Sequence, residues 1–408
     1  MTGRQPRILY MVPAWPHEKS FGKQVRLLNV GRALQKLGEV KLVVAYESVE
    51  AETVEKTSNE FQVYCRVQTL VRPPSGLRGR INWWLDPRSL NLYSSVADAH
   101  DRARVCDGLT NFDLIWINGL RVANMFGLWA WPRSVLDIDD VPSAYELTEW
   151  RNADRLTDRL KAGIRVLPLR RRERLLPERF TTLAVCSEAD RQYLGGGNHI
   201  HVIPNGFERP TAEPHRQSVT PPRLGFIGLF SYPPNLKGVQ WFLRECWPRV
   251  KREIPDVRLR LVGKDSDVLP KDTGPDVDRL GWMADPSDEI ATWSAMIVPI
   301  QLGAGTRVKV AEAFSRKVPL VSTRLGAFGY DVADGKELLL ADTPAAFARA
   351  CVHMIREPGE AATMAQRAWK LFLKNWTWDA IAPRVWSAAE QCLRRSATIN
   401  EHRILLTR

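Results

Sequence analysis

Ala295-Met296-Ile297-Val298-Pro299-Ile300-Gln301-Leu302-Gly303-Ala304-Gly305-Thr306-Arg307-Val308-Lys309-Val310-Ala311-Glu312-Ala313-Phe314 is the stretch that decides how this chain is read. Its apolar opening, Ala295 to Ile300, predicts a buried strand. A glycine-containing loop follows, and then a helix that ends before Val318-Pro319. Thr306 is expected to cap that helix, which sets Arg307 and Lys309 in its first turn. Cations there oppose the positive end of the helix dipole, at a cost of roughly 0.3–1 kcal/mol each. A bound anion removes the conflict, because free N–H groups, dipole and both cations then act on it together. The loop glycines, and Glu312 two turns along, favour a diphosphate site over a pair of solvated side chains on a surface helix.

The same strand–loop–helix grammar recurs on either side. Ile8–Val12 predicts a first strand. A loop through Pro13, Pro16 and Gly22 leads into a helix carrying Leu27, Val30, Leu34 and Leu37, and Lys41–Ala45 is the next strand. Such a βαβ start points to a parallel sheet. Further strands are expected at Leu114–Ile117, Ser134–Ile138, Leu183–Cys186 and His201–Ile203, while Pro73 to Tyr93, rich in Pro, Arg and Trp, has no clear period. Pro204-Asn205-Gly206 and the polar, proline-rich Pro210 to Pro222 mark a boundary. A second series begins with Leu224–Phe230 and a helix face of Val239, Phe242, Cys246 and Val250. Arg258–Val262, Ala295–Ile300, Pro319–Ser322 and Leu338–Leu340 continue it. Two α/β domains result, 1–205 and 206–375, with helices from Pro344 to Ile355 and from Pro358 onward. Segment 376–408 is expected to pack back on the first domain.

At 408 residues the chain is long enough for two separate cores. No apolar run approaches the roughly 18 residues of a spanning helix, and Ile8–Val12 lacks the layout of a signal peptide. Six scattered cysteines (65, 106, 186, 246, 351 and 392) form no CxxC pair and no metal-ligand spacing, which fits a reducing cytoplasm. The net charge of +12 needs a partner. Arginines concentrate between Arg151 and Arg179, including Arg170-Arg171-Arg172 and Arg174. An anionic membrane surface or a phosphorylated acceptor would attract them. The plainer alternative is a solvated helix face partly neutralised by Glu173 and Glu178. No nucleic-acid motif accompanies the charge, so no nucleic-acid partner is expected.

Four features resemble the retaining glycosyltransferases of family four. They are the N-terminal strand with its Gly22 loop; Val202-Ile203-Pro204-Asn205-Gly206; Gly225-Phe226-Ile227-Gly228 with Pro234-Asn235 and Trp241-Phe242; and Gly303 to Phe314 followed by Pro319-Leu320-Val321-Ser322-Thr323. Glycine loops are common singly, and the order and spacing carry the likeness over most of the chain. The resemblance implies the GT-B architecture, two Rossmann-like domains facing a cleft, with the sugar nucleotide on the second domain and the acceptor on the first. It implies that Glu312 accepts hydrogen bonds from ribose hydroxyls and that Arg307 and Lys309 bind the diphosphate. Lys237 resembles the family's phosphate lysine, although Leu229 stands where an arginine often follows the glycine. Gly281-Trp282 resembles the turn that receives the base. Gly22, Gly303, Ala304, Gly305 and Thr306 complete the implied donor site. Many members carry two glutamates at this spacing, whereas here Ala304 occupies the first position.

The activity so implied is transfer of a hexosyl-type sugar from a nucleotide diphosphate sugar, a UDP-sugar first and a GDP- or dTDP-sugar otherwise. The acceptor is a glycan, a lipid-linked glycan or another hydroxyl, in polysaccharide or glycolipid biosynthesis, with retention of configuration. No metal or other cofactor is expected, since arginine, lysine and backbone amides can stabilise the leaving phosphate. Arg307 and Lys309 are thus catalytic candidates. Asp139 and Asp140, with Asp137, are placed to orient or deprotonate an acceptor hydroxyl, or else to cap the helix near Pro142 and Ser143. His199 and His201 read as structural; His17 lies in the first loop. A sugar-nucleotide epimerase or hydrolase on the same fold, and a basic nucleic-acid-binding protein, are the alternatives. The expected place is the cytoplasm, with peripheral contact at the membrane's inner face.

Overall fold

The computed structural model describes residues 4–17, 22–46, 59–71, 76–90, 95–153, 155–270 and 273–406. Contacts divide the chain into two compact units. One comprises Met1–Leu147, Leu160–Pro204 and Ile381–Arg408, the other Thr148–Arg159 and Asn205–Ala380.

The first unit is built on an eight-stranded sheet of β1 (Arg7–Val12), β2 (Glu39–Tyr46), β3 (Gln62–Val71), β4 (Ser95–Ala97), β5 (Leu114–Asn118), β6 (Trp131–Ile138), β7 (Phe180–Val185) and β8 (Ile200–Val202). The strands lie in the order β4-β3-β2-β1-β5-β6-β7-β8. All pairs are parallel except β3 with β4. Every residue of β5, Leu-Ile-Trp-Ile-Asn, is buried, as expected of a parallel strand covered on both faces. The last helix, Trp378–Leu406, contributes its residues from Ile381 onward to this unit. There Trp386 Nε1 donates to the Ala33 carbonyl at 2.9 Å, and Gln391 bonds His201 and the Asn198 carbonyl.

The second unit holds a six-stranded parallel sheet of β9 (Arg223–Ile227), β10 (Arg258–Val262), β11 (Val277–Gly281), β12 (Ala295–Val298), β13 (Leu320–Ser322) and β14 (Leu339–Leu340), in the order β11-β10-β9-β12-β13-β14. Phe347 anchors one side of it, edge-on to Trp241 and Phe242 with ring centroids 5.5 and 5.8 Å away. Burying a side chain of this size stabilises by roughly 1.5–3 kcal/mol. The strand order reverses between β9 and β12, so the chain leaves these two neighbours in opposite directions. Open α/β sheets bind ligands beyond the carboxyl ends of their strands at such a reversal.

Most expected strands are present, and the departures have causes. The strand expected over Ala295–Ile300 stops at Val298, because Pro299 has no N–H for the ladder. Leu224–Phe230 stops at Ile227, where Gly228 turns the chain. Three strands, β3, β4 and β11, carry no strong apolar run. In β11, Asp278 instead ties to Arg258 and Arg260 of β10, so charge pairing replaces the apolar pattern. Within the unplaced Pro73–Tyr93 stretch the described residues form a helix, Leu77–Leu85.

Candidate functional site

Several cations stand on the loops and helices that follow β9, β10 and β12, among them Lys237, Lys264, Arg307 and Lys309. After β9 the backbone passes through Gly228, and a Cβ there would lie 2.9 Å from Lys309 Cε and Nζ and 2.9 Å from Asn235 Nδ2. A side chain there would have to push the ends of Lys309 and Asn235 aside, so Gly228 lets the Lys309 ammonium approach the main chain. Gly263, after β10, is equally confined, since its Cβ would strike the Gly228 carbonyl oxygen. Lys309 lies in the first turn of the helix Val308–Ser315, which has no acidic residue in that turn. Its chain is half-buried, its Nζ sits 5.3 Å from the Phe226 ring centre, and it forms no salt bridge among the described residues. Burial lowers its pKa to about 8, Glu312 opposes that, and Arg307 adds to it. The site therefore holds a cation that its own surroundings partly disfavour.

Arg307 takes the N-cap position of this helix, with no side-chain cap bond, which corrects the expectation that Thr306 caps it. The reason is that Thr306 is turned inward. It is 6% exposed, and its hydroxyl has no hydrogen-bond partner among the described residues. The Arg307 guanidinium folds back on its own loop, donating to the Ala304 carbonyl and, at 3.4 Å, to that of Leu302, while its Nε has no partner. Close beneath it is Gly303, whose φ of 118° suits glycine and whose Cβ, were there one, would strike Arg307 Nη2. Gly305 (φ 72°) and Ala304 are buried beside it. Tyr330 Oη bonds the Arg307 carbonyl at 2.9 Å. Thr148, read from sequence as nothing in particular, clasps the loop: its Oγ1 bonds both N–H and C=O of Gly303, at 3.1 and 3.2 Å. Asn152 Nδ2 holds the Gln301 carbonyl at 2.8 Å. No local pattern announces such a long-range clasp.

Glu312 stands on the same helix, 3.2 Å from Arg316 Nε, so one carboxylate oxygen is engaged with a cation one turn on. Arg316 is held in turn by Ser287 Oγ at 2.7 Å. Lys237, on the helix Pro233–Trp241 that follows the Gly228 loop, is half-buried and makes no salt bridge among the described residues. Trp282, just after β11, is 59% exposed, with Lys264 Nζ 5.6 Å from its ring centre. All of these lie within the second unit.

The first-unit candidates fare differently. Asp137 is not a loop acid but a residue of β6, fully buried and paired with Arg26 at 2.7 Å. Arg26 also donates to the carbonyls of Ile203 and Pro204 at 2.9 and 3.2 Å. Burial opposes its charge, but Asp137, with Cys186 and Asp139 behind it, raises its pKa above the ordinary value. Sequence gave no sign of this, because an arginine in an amphipathic helix reads as surface. Asp139 lies 3.1 Å from Cys186 Sγ and Asp140 is exposed. Gly22 opens the helix Gly22–Gln35. His201 pairs with Gln391 at 2.7 Å, and burial lowers the pKa of His199. The arginine cluster is not one solvated face. Arg172 and Arg179 are interior, seated on Trp83 and Trp129 and bonded to backbone carbonyls. Glu173 is no neutralising surface acid either; it is buried and binds Ser143 N and Oγ.

Both sheets and their connections are those of the GT-B glycosyltransferases. Residues 221–357, the stretch holding this site, match the family model described as Glycosyl transferases group 1. In overall structure the chain is similar to Anabaena HepE, solved in complex with UDP and glucose (TM-score 0.63, 15% identity, 94% of this chain and 99% of that one). It is also similar to sucrose-phosphate synthase from Thermosynechococcus elongatus (TM-score 0.64, 15% identity, 96% and 100% covered). S. aureus TarM, solved as a mutant with UDP and alpha-GlcNAc-glycerol, gives a TM-score of 0.64 at 11% identity, covering 94% and 99%. A Klebsiella pneumoniae relative, an uncharacterized 44.6 kDa protein in the cps region, is 27% identical over 157 residues. That match spans 36% of this chain and 40% of the relative's length. Fold and domain match together support a GT-B glycosyltransferase.

Proposed function

We propose that this chain transfers a sugar from a nucleotide diphosphate sugar to a hydroxyl acceptor, with retention of configuration and without a metal ion. The observation that carries the reading is Lys309, a cation with no salt bridge among the described residues, at the start of a helix, against the Gly228 loop and at the strand-order reversal of its sheet. Leaving-group departure puts negative charge on the diphosphate. Lys309, Arg307 once released from its loop carbonyls, and the amides of 304–306 would stabilise it. Glu312 would receive the ribose hydroxyls and Trp282 the base. The acceptor attacks on the face that the leaving group vacates, and Asp139 or Asp140 orients its hydroxyl. A UDP-sugar is the favoured donor, in keeping with the nucleotide present in the HepE and TarM structures; GDP- and dTDP-sugars remain to be compared. The cps relative suggests a glycan or lipid-linked glycan as acceptor. Such an acceptor would bring a cytoplasmic enzyme peripherally to the membrane's inner face.

A thermal-shift screen against UDP, GDP, dTDP and their sugars tests the donor, because ligands that bind only the folded state raise its stability. Transfer assays with and without chelator, followed by assignment of the product anomer, test the rest. No shift with any nucleotide overturns the reading. Donor breakdown that is indifferent to acceptor points to a hydrolase or epimerase.

A further inference from the structure

We propose that the helices Leu77–Leu85 and Leu156–Arg174 form a membrane-insertion face for an anionic lipid surface. On the first helix Leu77, Ile81, Trp84 and Leu85 recur at helical spacing and are all exposed, from 37% at Trp84 to 75% at Leu77. On the second, Leu160, Ile164 and Leu167 do the same, Ile164 at 63%. The interior faces of these helices are the opposite ones, through Trp83 and through Ala162, Pro168 and Arg172. Trp84 Nε1 donates to the Ile164 carbonyl at 3.3 Å, and Arg172 on Trp83 ties the helices together, so the two apolar stripes join into one surface. Scattered exposed leucines are ordinary, but a contiguous set is not.

Charge selects the occupant. Arg78 and Arg80 flank the first stripe, and Lys161, Arg170, Arg171 and Arg174 accompany the second, all exposed. Apolar side chains rimmed by cations fit the headgroup–acyl boundary of an anionic membrane. A second copy of the chain meeting this face would set these cations against one another. No described helix is long and apolar enough to cross a membrane, so the contact is peripheral. It also differs from simple electrostatic attraction, which salt abolishes. Inserted side chains should leave a part of the binding that salt does not remove. The face rests on exposure and charge, and vesicle binding measured without donor is independent of the transferase reading.

Flotation with phosphatidylglycerol-containing and neutral phosphatidylcholine vesicles, at low and high salt, tests it. Wild-type protein should float with the anionic vesicles and keep a fraction bound at high salt. Ile81→Glu with Ile164→Glu should lower binding by about tenfold or more and remove the salt-resistant fraction. Arg80→Gln with Lys161→Gln should lower the salt-sensitive fraction only. Should the double glutamate variant melt early, Ile164→Ser alone replaces it. Binding by the glutamate variant equal to wild type, or no preference for anionic vesicles, overturns the proposal. So does a wild-type dimer that the variant splits, which would assign the face to a second copy.

Discussion

Arg26 and Lys309 are both cations held near the carboxyl ends of parallel strands, one in each unit, and their surroundings treat them oppositely. Arg26 is fully buried, forks onto Asp137 and satisfies two further carbonyls, so its charge is strengthened. Lys309 faces a glycine main chain, an aromatic ring and the end of a helix dipole, and its pKa falls to about 8. A closed ion pair of the first kind fixes a structure. A cation of the second kind, only partly offset by Glu312, is what the proposed anion site requires, because an incoming negative charge would relieve its desolvation. Residue type is the same in kind; what differs is whether the chain supplies the counter-charge.

The largest effect expected from this contrast is structural. Asp137→Ala strands the Arg26 charge in the interior and should destabilise the protein by about 3–5 kcal/mol, read by denaturant unfolding. A loss below about 1 kcal/mol would show that the Arg26–Asp137 pair does not fix the structure. Lys309→Met should do the reverse: no loss of melting temperature, but a fall in transfer rate of about 10²–10³-fold. Equal losses of stability and rate would erase the distinction. Glu312→Gln should weaken donor binding by about 1.5–3 kcal/mol, measured by calorimetry, with the fold intact. Unchanged affinity would leave Glu312 as no more than the partner of Arg316.

The smallest effect is on pH dependence. A bound diphosphate raises the Lys309 pKa, so below about 8 the lysine is charged with or without donor and affinity should be flat. Above about 8 the free protein loses the proton that the complex keeps. Binding then takes up a proton, and affinity should fall by at most about tenfold per pH unit. Lys309→Arg should move this decline out of the accessible range. A wild-type affinity that is level through pH 9 and beyond, with no proton uptake in buffers of different ionisation enthalpy, would remove Lys309 from the diphosphate contact.

The glycine loop Gly303–Thr306 and the helix with Lys309 and Glu312 were legible because their signals are local. An apolar run needs a sheet, glycines permit tight turns, and cations at a helix start ask for an anion. The same holds for the two βα series and the boundary near Pro210. The Asp137 reading failed for the complementary reason. A carboxylate at a strand end looks like a loop acid until its partner, remote in sequence, is known to be Arg26. The arginine run misled in a similar way, since Arg172 and Arg179 find aromatic rings and carbonyls rather than solvent.

Sequence alone therefore determined the fold class, the apolar strands of both sheets and the cationic helix start, all set by periodicity and residue chemistry over a few turns. Tertiary structure alone decided that Gly228 admits Lys309 and that Thr148 clasps Gly303. It likewise buried Arg26 and left the apolar stripes of two adjacent helices uncovered. Burial, counter-charge and exposure depend on residues brought together from distant parts of the chain, and no local pattern encodes them.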